Sequence, residues 1–297
     1  MPFLESLKQQ IGRMISLVVM YKNRSDYHRL INPAIKQLIK NMIFEFSFKI
    51  RADWGFVTVI NIETITACNL RCSYCPNSIY DRGLMINKLM MKAELFYKII
   101  DELAELGWAG LLAPHSYGEP LLDDRIIEFI RYAKTKIHNL QIDLFTNGEL
   151  LTVSLYQELI RAGVDIFTVT QHLALPSKGV LEILEHREKM GSDNVRFTFK
   201  KIDFISNRGG IVKVKNENKI FSCIRPIYSI GIDYSGNVLV CCDDYFNQIK
   251  VGNVSNDKLI DIWNSPLYRE IRKNIKNGKF EFDICKKCAL GRPIRTQ

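Results

Sequence analysis

Cys68-Asn69-Leu70-Arg71-Cys72-Ser73-Tyr74-Cys75 packs three cysteines into eight residues, directly after an apolar run, Trp54 to Ile62, that reads as a strand. Thiolates are the soft ligands that iron–sulfur clusters, zinc and copper(I) select. A loop this tight can wrap one face of a compact cluster. A four-iron cluster is closed by four protein ligands, so three cysteines leave one iron open to something else. A site built only to hold a metal is normally closed.

Outward from this loop the chain alternates strand and helix. Strand-like runs cover Val57–Glu63, Gly110–His115, Gln141–Phe145, Asp165–Gln171 and Val195–Lys200, and helical periodicity covers Lys92–Leu106, Asp124–Lys136, Thr152–Ala162 and Gly179–Lys189. Such alternation predicts an α/β fold, a parallel sheet with helices outside it. Active residues then belong where strands end, and the three cysteines follow the first strand. The second strand ends in Tyr117-Gly118-Glu119-Pro120, where Gly lets the backbone approach a ligand and the carboxylate suits a cationic amine. The third ends in Thr146-Asn147-Gly148, which also reads as a plain turn. The fourth ends in Thr168-Val169-Thr170-Gln171-His172, with His172 a candidate acid or base. On the fifth, Arg196, Thr198 and Lys200 share one face, which points either toward substrate or to an exposed edge. Arg196 and Arg208 are candidates to orient substrate by hydrogen bonds; neither gives up a proton readily.

After Lys201 the rhythm stops, and the remaining cysteines are Cys223, Cys241, Cys242, Cys285 and Cys288. Ile230–Tyr234 and Asn237–Val240 read as a hairpin around Ser235-Gly236 that brings Cys223 toward Cys241. Ser265-Pro266 reads as the cap and first residue of a helix that leads to Cys285-x2-Cys288. Four cysteines from two places make a closed tetrathiolate site, which binds zinc as readily as iron–sulfur. Cys242 is left over, as a substitute ligand for Cys241, a donor near substrate or an inert thiol.

The spacing C-x3-C-x2-C, with aromatic Tyr74 before the last cysteine, resembles the signature of the radical S-adenosylmethionine (radical SAM) enzymes. Cys223-x12-Gly236-x4-Cys241, Gly252-Asn253-Val254, Ile262-Trp263 and the final Cys-x2-Cys resemble the family's SPASM/twitch extension, in its shorter one-cluster form. The resemblance runs from about Val57 to Ala289. It implies a partial (β/α) barrel of five or six parallel strands over residues 53–215, preceded by 1–52. A small auxiliary-cluster domain, a β-hairpin plus helix, follows over 216–297. It also implies a SAM-binding [4Fe-4S] cluster on Cys68, Cys72 and Cys75, and SAM held by Tyr74, Gly118, Glu119, Pro120, Asn147 and Thr170. An auxiliary [4Fe-4S] cluster falls to Cys223, Cys241, Cys285 and Cys288. Such enzymes cleave SAM to a 5′-deoxyadenosyl radical that takes a substrate hydrogen, with flavodoxin or ferredoxin as typical electron donors. A shortened barrel with one auxiliary cluster is similar to the family's dehydrogenases, which oxidise an alcohol of a sugar or cyclitol; modification of a ribosomally made peptide is the alternative.

At 297 residues and 47% hydrophobic the chain can bury a full core. Its eight cysteines belong to a chain neither small nor signal-bearing, so metal ligation is the better reading than disulfides. The run Ile15 to Tyr21 is too short to span a bilayer and no small-residue cleavage site follows, which predicts a cytoplasmic protein. A formal charge of +9 favours acidic partners, though ordinary solvated lysines account for it equally. A zinc-binding protein whose basic surface meets nucleic acid would leave the Gly-Glu-Pro turn and the open cysteine loop unexplained. Leu4, Leu7, Ile11, Ile15 and Val18, then Leu38, Ile39, Met42, Ile43 and Phe46, form apolar stripes opposite Lys and Arg. Over residues 1–50 these stripes suit a membrane-surface or partner-docking helix, or helices packed on the protein.

Overall fold

Parallel pairing needs a long crossover between neighbouring strands, and the sequence supplies one helix for each. In the computed structural model β1 (Val59–Ile62) pairs in parallel with β2 (Leu111–Ala113), which is followed by β3 (Gln141–Thr146), β4 (Ile166–Gln171) and β5 (Arg196–Lys201). The structure describes residues 57–191, 194–202, 206–213 and 223–290; the amphipathic stripes expected over 1–50 lie outside them. The crossovers are α1 (Ala93–Glu105), α2 (Ile126–Lys136), α3 (Val153–Ala162) and α4 (Lys178–Met190). The strand order steps one way only, from β1 to β5. With right-handed crossovers this puts every helix on one face of the sheet. The other face is left for chemistry.

Helix periodicity makes that packing. α1 buries Phe96, Ile99, Ile100 and Leu103, and α2 buries Ile126, Phe129, Ile130 and Ala133. Phe96 and Phe129 stack with centroids 4.2 Å apart, joining the two helices. Thr152 and Ser177 cap α3 and α4 by accepting from the N–H groups of Leu155 and Val180. Leu144, Phe167 and Phe197 are aligned across β3, β4 and β5, and Phe167 meets Tyr156 of α3 with centroids 4.7 Å apart.

The expected hairpin is present as β6 (Ser229–Ile232) and β7 (Val238–Leu239), antiparallel around a turn held by Asp233. It does not stand apart. β6 pairs in parallel with the free edge of β1, Val59 opposite Ser229 and Ile62 opposite Ile232, so a single seven-stranded sheet runs on across residue 215. Among the described residues the parallel set therefore numbers six strands, with β7 antiparallel at the end.

The remaining helices are α5 (Arg225–Tyr228), α6 (Leu259–Asn264), α7 (Pro266–Lys276) and α8 (Asp283–Leu290). Ser265 caps α7, its hydroxyl accepting from Tyr268 N–H at 3.2 Å. Among the described residues no helix is long and apolar enough to cross a membrane.

Candidate functional site

Side chains alternate along each strand, so register fixes which residues share the face without helices. Asn61 and Ala113 lie in register there, as do Asp143, Ile166 and Arg196. Continuing at period two, Glu63, His115 and Thr170 close the strand ends. The three-cysteine loop lies over these ends and is tied down by backbone bonds. Cys68 N–H donates to Gly83 O at 3.0 Å, Cys75 N–H to Cys72 O at 2.8 Å, and Glu119 N–H to Ala67 O at 2.8 Å. Gly118 makes the last contact attainable, because a Cβ there would stand 2.0 Å from Ile65 O. Asn77 then joins three segments: its Nδ2 donates to Tyr117 O, and its Oδ1 accepts from the Tyr245 hydroxyl, both at 2.9 Å. Burial pushes the Cys68 thiol up to about 11, and Cys72 and Cys75 also rise, because a thiolate without a metal is poorly solvated there.

Glu119 is buried at the loop's edge, where it accepts from the Thr146 hydroxyl at 2.7 Å, Asn147 N–H at 2.9 Å and Leu121 N–H at 3.2 Å. Burial outweighs these bonds and pushes the carboxyl up to about 7. A cation beside it would restore its charge. Asn147 turns toward the loop, its Nδ2 donating to Asn69 Oδ1 at 2.7 Å and reaching Cys68 Sγ at 3.8 Å. Gly118, Glu119, Asn147 and the cysteines are thus brought together. Pro120 opens a short 3-10 turn behind Glu119, and Thr170 is half-buried at the end of β4.

Tyr74 and His172 meet, hydroxyl to Nδ1 at 2.6 Å, and burial followed by the Arg208 charge lowers the His172 pKa. Arg208, on the turn 208–210, lies over the Tyr117 ring with 5.8 Å to its centroid. Arg196 is exposed on β5, the last strand of the sheet among the described residues; its charge still acts on Asp143. The sequence reading passed over several groups. His115 stacks on Phe145 with centroids 5.2 Å apart, and burial, with Arg208 and His172, holds its pKa down at about 4. Asp143 accepts from the Thr168 hydroxyl at 2.8 Å, and burial raises it to about 6. Glu63 pairs with Arg82, and Glu63 Oε1 and the Tyr117 hydroxyl are buried without hydrogen-bond partners among the described residues. Counting in twos past the end of each strand would have found Glu63 and His115.

The second cysteine set rings one cavity, lined by Cys223, Cys241, Cys285 and Cys288 together with Asp243, with apolar walls from Ile275, Phe280 and Ile284. α8 supplies Cys285 and Cys288 one turn apart on one helix face. Among the described residues no three His, Cys, Asp or Glu side chains are arranged to hold a single metal ion. Four sulfurs around a largely apolar space suit an iron–sulfur cluster. Cys242 is outside this lining and receives Arg225 Nη1 at 2.8 Å.

The radical SAM superfamily profile matches residues 62–221, and SPASM, an iron–sulfur cluster-binding domain, matches 223–289. The chain belongs to the radical SAM superfamily. S-adenosyl-L-methionine-dependent 2-deoxy-scyllo-inosamine dehydrogenase of Niallia circulans is 31% identical over 236 residues, which are 78% of this chain and 92% of that one. The crystal structure of BtrN in complex with AdoMet and 2-DOIA is similar with a TM-score of 0.69 and 28% identity, over 78% of this chain and 93% of that one. A PqqA peptide cyclase of Granulibacter bethesdensis is 31% identical over 130 residues, 43% of this chain and 30% of that one. As a radical SAM oxidoreductase with a SPASM region, the protein uses a SAM-binding [4Fe-4S] cluster and an auxiliary [4Fe-4S] cluster. When bound, these groups supply reductive cleavage of SAM to a 5′-deoxyadenosyl radical, hydrogen abstraction from substrate and electron transfer.

Proposed function

We propose that this radical SAM enzyme oxidises a secondary alcohol on a small polyhydroxylated ring of the aminocyclitol or sugar type. The observation that carries the reading is the four-cysteine cavity, read beside the likeness to the Niallia circulans dehydrogenase over nearly all of that protein. Four cysteines saturate a cluster and leave no iron for substrate, which suits uptake of an electron from outside the cluster. Cys68, Cys72 and Cys75 hold the SAM-binding cluster, and Cys223, Cys241, Cys285 and Cys288 hold the auxiliary one. Glu119, Asn147 and the Gly118 backbone receive the methionine end of SAM; Tyr74, Pro120 and Thr170 border it.

Conversion of C–OH to C=O removes a hydrogen atom from carbon, a proton from oxygen and one electron. His172 takes the proton. In the tautomer protonated at Nδ1, that nitrogen donates to the Tyr74 hydroxyl oxygen 2.6 Å away and Nε2 is the acceptor that a base requires. Burial and then the Arg208 charge lower the His172 pKa, which favours the neutral ring. Arg208 orients substrate hydroxyls as a donor, whereas Arg196, exposed on β5, is set aside from that role. Reduction by flavodoxin or ferredoxin, a cytoplasmic location, and docking or membrane contact through residues 1–50 belong to the same reading.

The test is anaerobic turnover of reconstituted enzyme with SAM, reductant and 2-deoxy-scyllo-inosamine. The expected products are the corresponding ketone and 5′-deoxyadenosine in equal amounts. Release of 5′-deoxyadenosine with no ketone from a panel of aminocyclitols and amino sugars would sink the reading. It would turn attention to peptide modification, which the shorter likeness to the PqqA peptide cyclase supports.

A further inference from the structure

Asp243 is the one charged side chain among the described residues lining the auxiliary cavity, and it is 1% exposed. Its carboxylate is gripped from two sides. Arg208 Nη1 and Ser206 Oγ donate to Oδ1, and Arg225 Nη1 donates to Oδ2, each at 3.3 Å. It also reaches two of the four cysteines. The Cys288 thiol donates to Oδ2 at 3.9 Å, and Asp243 N–H donates to Cys241 Sγ at 3.4 Å. Arg225 is placed alike, 4.0 Å from Cys241 Sγ and 2.8 Å from Cys242 Sγ.

Charge and hydrogen bonds at the sulfurs are the means by which a protein sets a cluster's reduction potential. A carboxylate beside the sulfurs opposes an arriving electron, a guanidinium favours it, and the burial of Asp243 keeps water from screening the carboxylate. We propose that Asp243 and Arg225 jointly set the auxiliary cluster's reduction potential, Asp243 lowering it and Arg225 raising it. Both are positioning residues that act through the cluster. Arg208 carries the arrangement to the open face of the sheet. Its turn is clamped on α8, where Asn207 Nδ2 donates to Lys287 O at 2.7 Å and a Cβ on Gly209 would stand 2.5 Å from Ile284. Its guanidinium spans from Asp243 to the Tyr117 ring. One buried carboxylate thus joins the auxiliary cysteines to the residues facing substrate.

The inference rests on Cys223, Cys241, Cys285 and Cys288 as cluster ligands and not on the identity of the substrate. The test is a redox titration of the full-length holoenzyme, followed by electron paramagnetic resonance and carrying about eight irons per chain. The auxiliary signal is the one that added SAM leaves unchanged. Asp243→Asn is expected to move its midpoint to more positive potential, Arg225→Gln to more negative potential, and Arg225→Lys to return it to the wild-type value; the SAM-responsive cluster should not move. Should Asp243→Asn fail to load iron, the two Arg225 variants decide. An unmoved auxiliary midpoint, or a shift of the same sign in Asp243→Asn and Arg225→Gln, overturns the proposal, because loosening of the site has no reason to follow the sign of the charge removed. Since no substrate is added, failure of alcohol oxidation would leave this result standing.

Discussion

Glu119 is ionised at a cost until a cation reaches it. Its carboxyl titrates at about 7 in the folded chain against an ordinary 4.5, raised by burial despite three donated hydrogen bonds. Between those values the folded chain holds a proton that the unfolded chain has released. Stability from this group is therefore present at low pH and falls as pH rises through that window, by up to about 3 kcal/mol. Glutamine cannot ionise. Without SAM, Glu119→Gln should gain in melting temperature relative to wild type between pH 5 and pH 8. With saturating SAM the comparison at pH 8 should favour wild type, because the carboxylate then has its cation; loss of one charge-assisted bond weakens SAM binding roughly ten- to a hundredfold. A melting difference that stays constant across pH would show that the burial of Glu119 carries no electrostatic cost.

At the scale of elements, the positions of the loops depend on a few close approaches between strand ends. Gly118 passes Ile65 O so closely that alanine has no room, and the obstacle is backbone, not a side chain that can swing away. Gly118→Ala should push the segment after β2 off the three-cysteine loop. Iron content should fall from about eight toward about four per chain, with 5′-deoxyadenosine release down at least about tenfold. Wild-type values for both would refute the argument. The helices and strands from β1 to β5 were legible in the sequence because period and capping are local signals; Ser265 as the cap of α7 is one. The docking of β6 on β1 was not legible. Ile230–Tyr234 announced a hairpin, but its partner strand lies some 170 residues earlier, as Thr58 and Tyr228 show, and a free sheet edge leaves no mark in composition. Arg196 was left open for a related reason: its face was readable, whereas β5 becoming an edge depends on what the chain does after Lys201.

Across the whole molecule, Cys68, Cys72 and Cys75 were legible as a local motif and the second cysteine set through its resemblance to a known extension, while the groups between them were not. Asp243, Arg208 and Arg225 come from three separate segments, and only the fold brings them to one buried point. The sites are nonetheless built from different parts. One is a loop over the ends of β1 and β2; the other is a cavity between the segment after β7 and α8. Loading one should not require the other. Cys72→Ala should remove about four irons and abolish 5′-deoxyadenosine release, since that loop supplies only three thiols and has none to spare. Cys285→Ala should remove about four irons as well yet leave 5′-deoxyadenosine release within a few-fold of wild type, while substrate oxidation stops for want of an electron acceptor. Iron analysis and product quantification on the same two preparations check this. If Cys285→Ala also lost cleavage of SAM, the link through Asp243 and Arg208 would have to hold the first site together and not merely join it to the second.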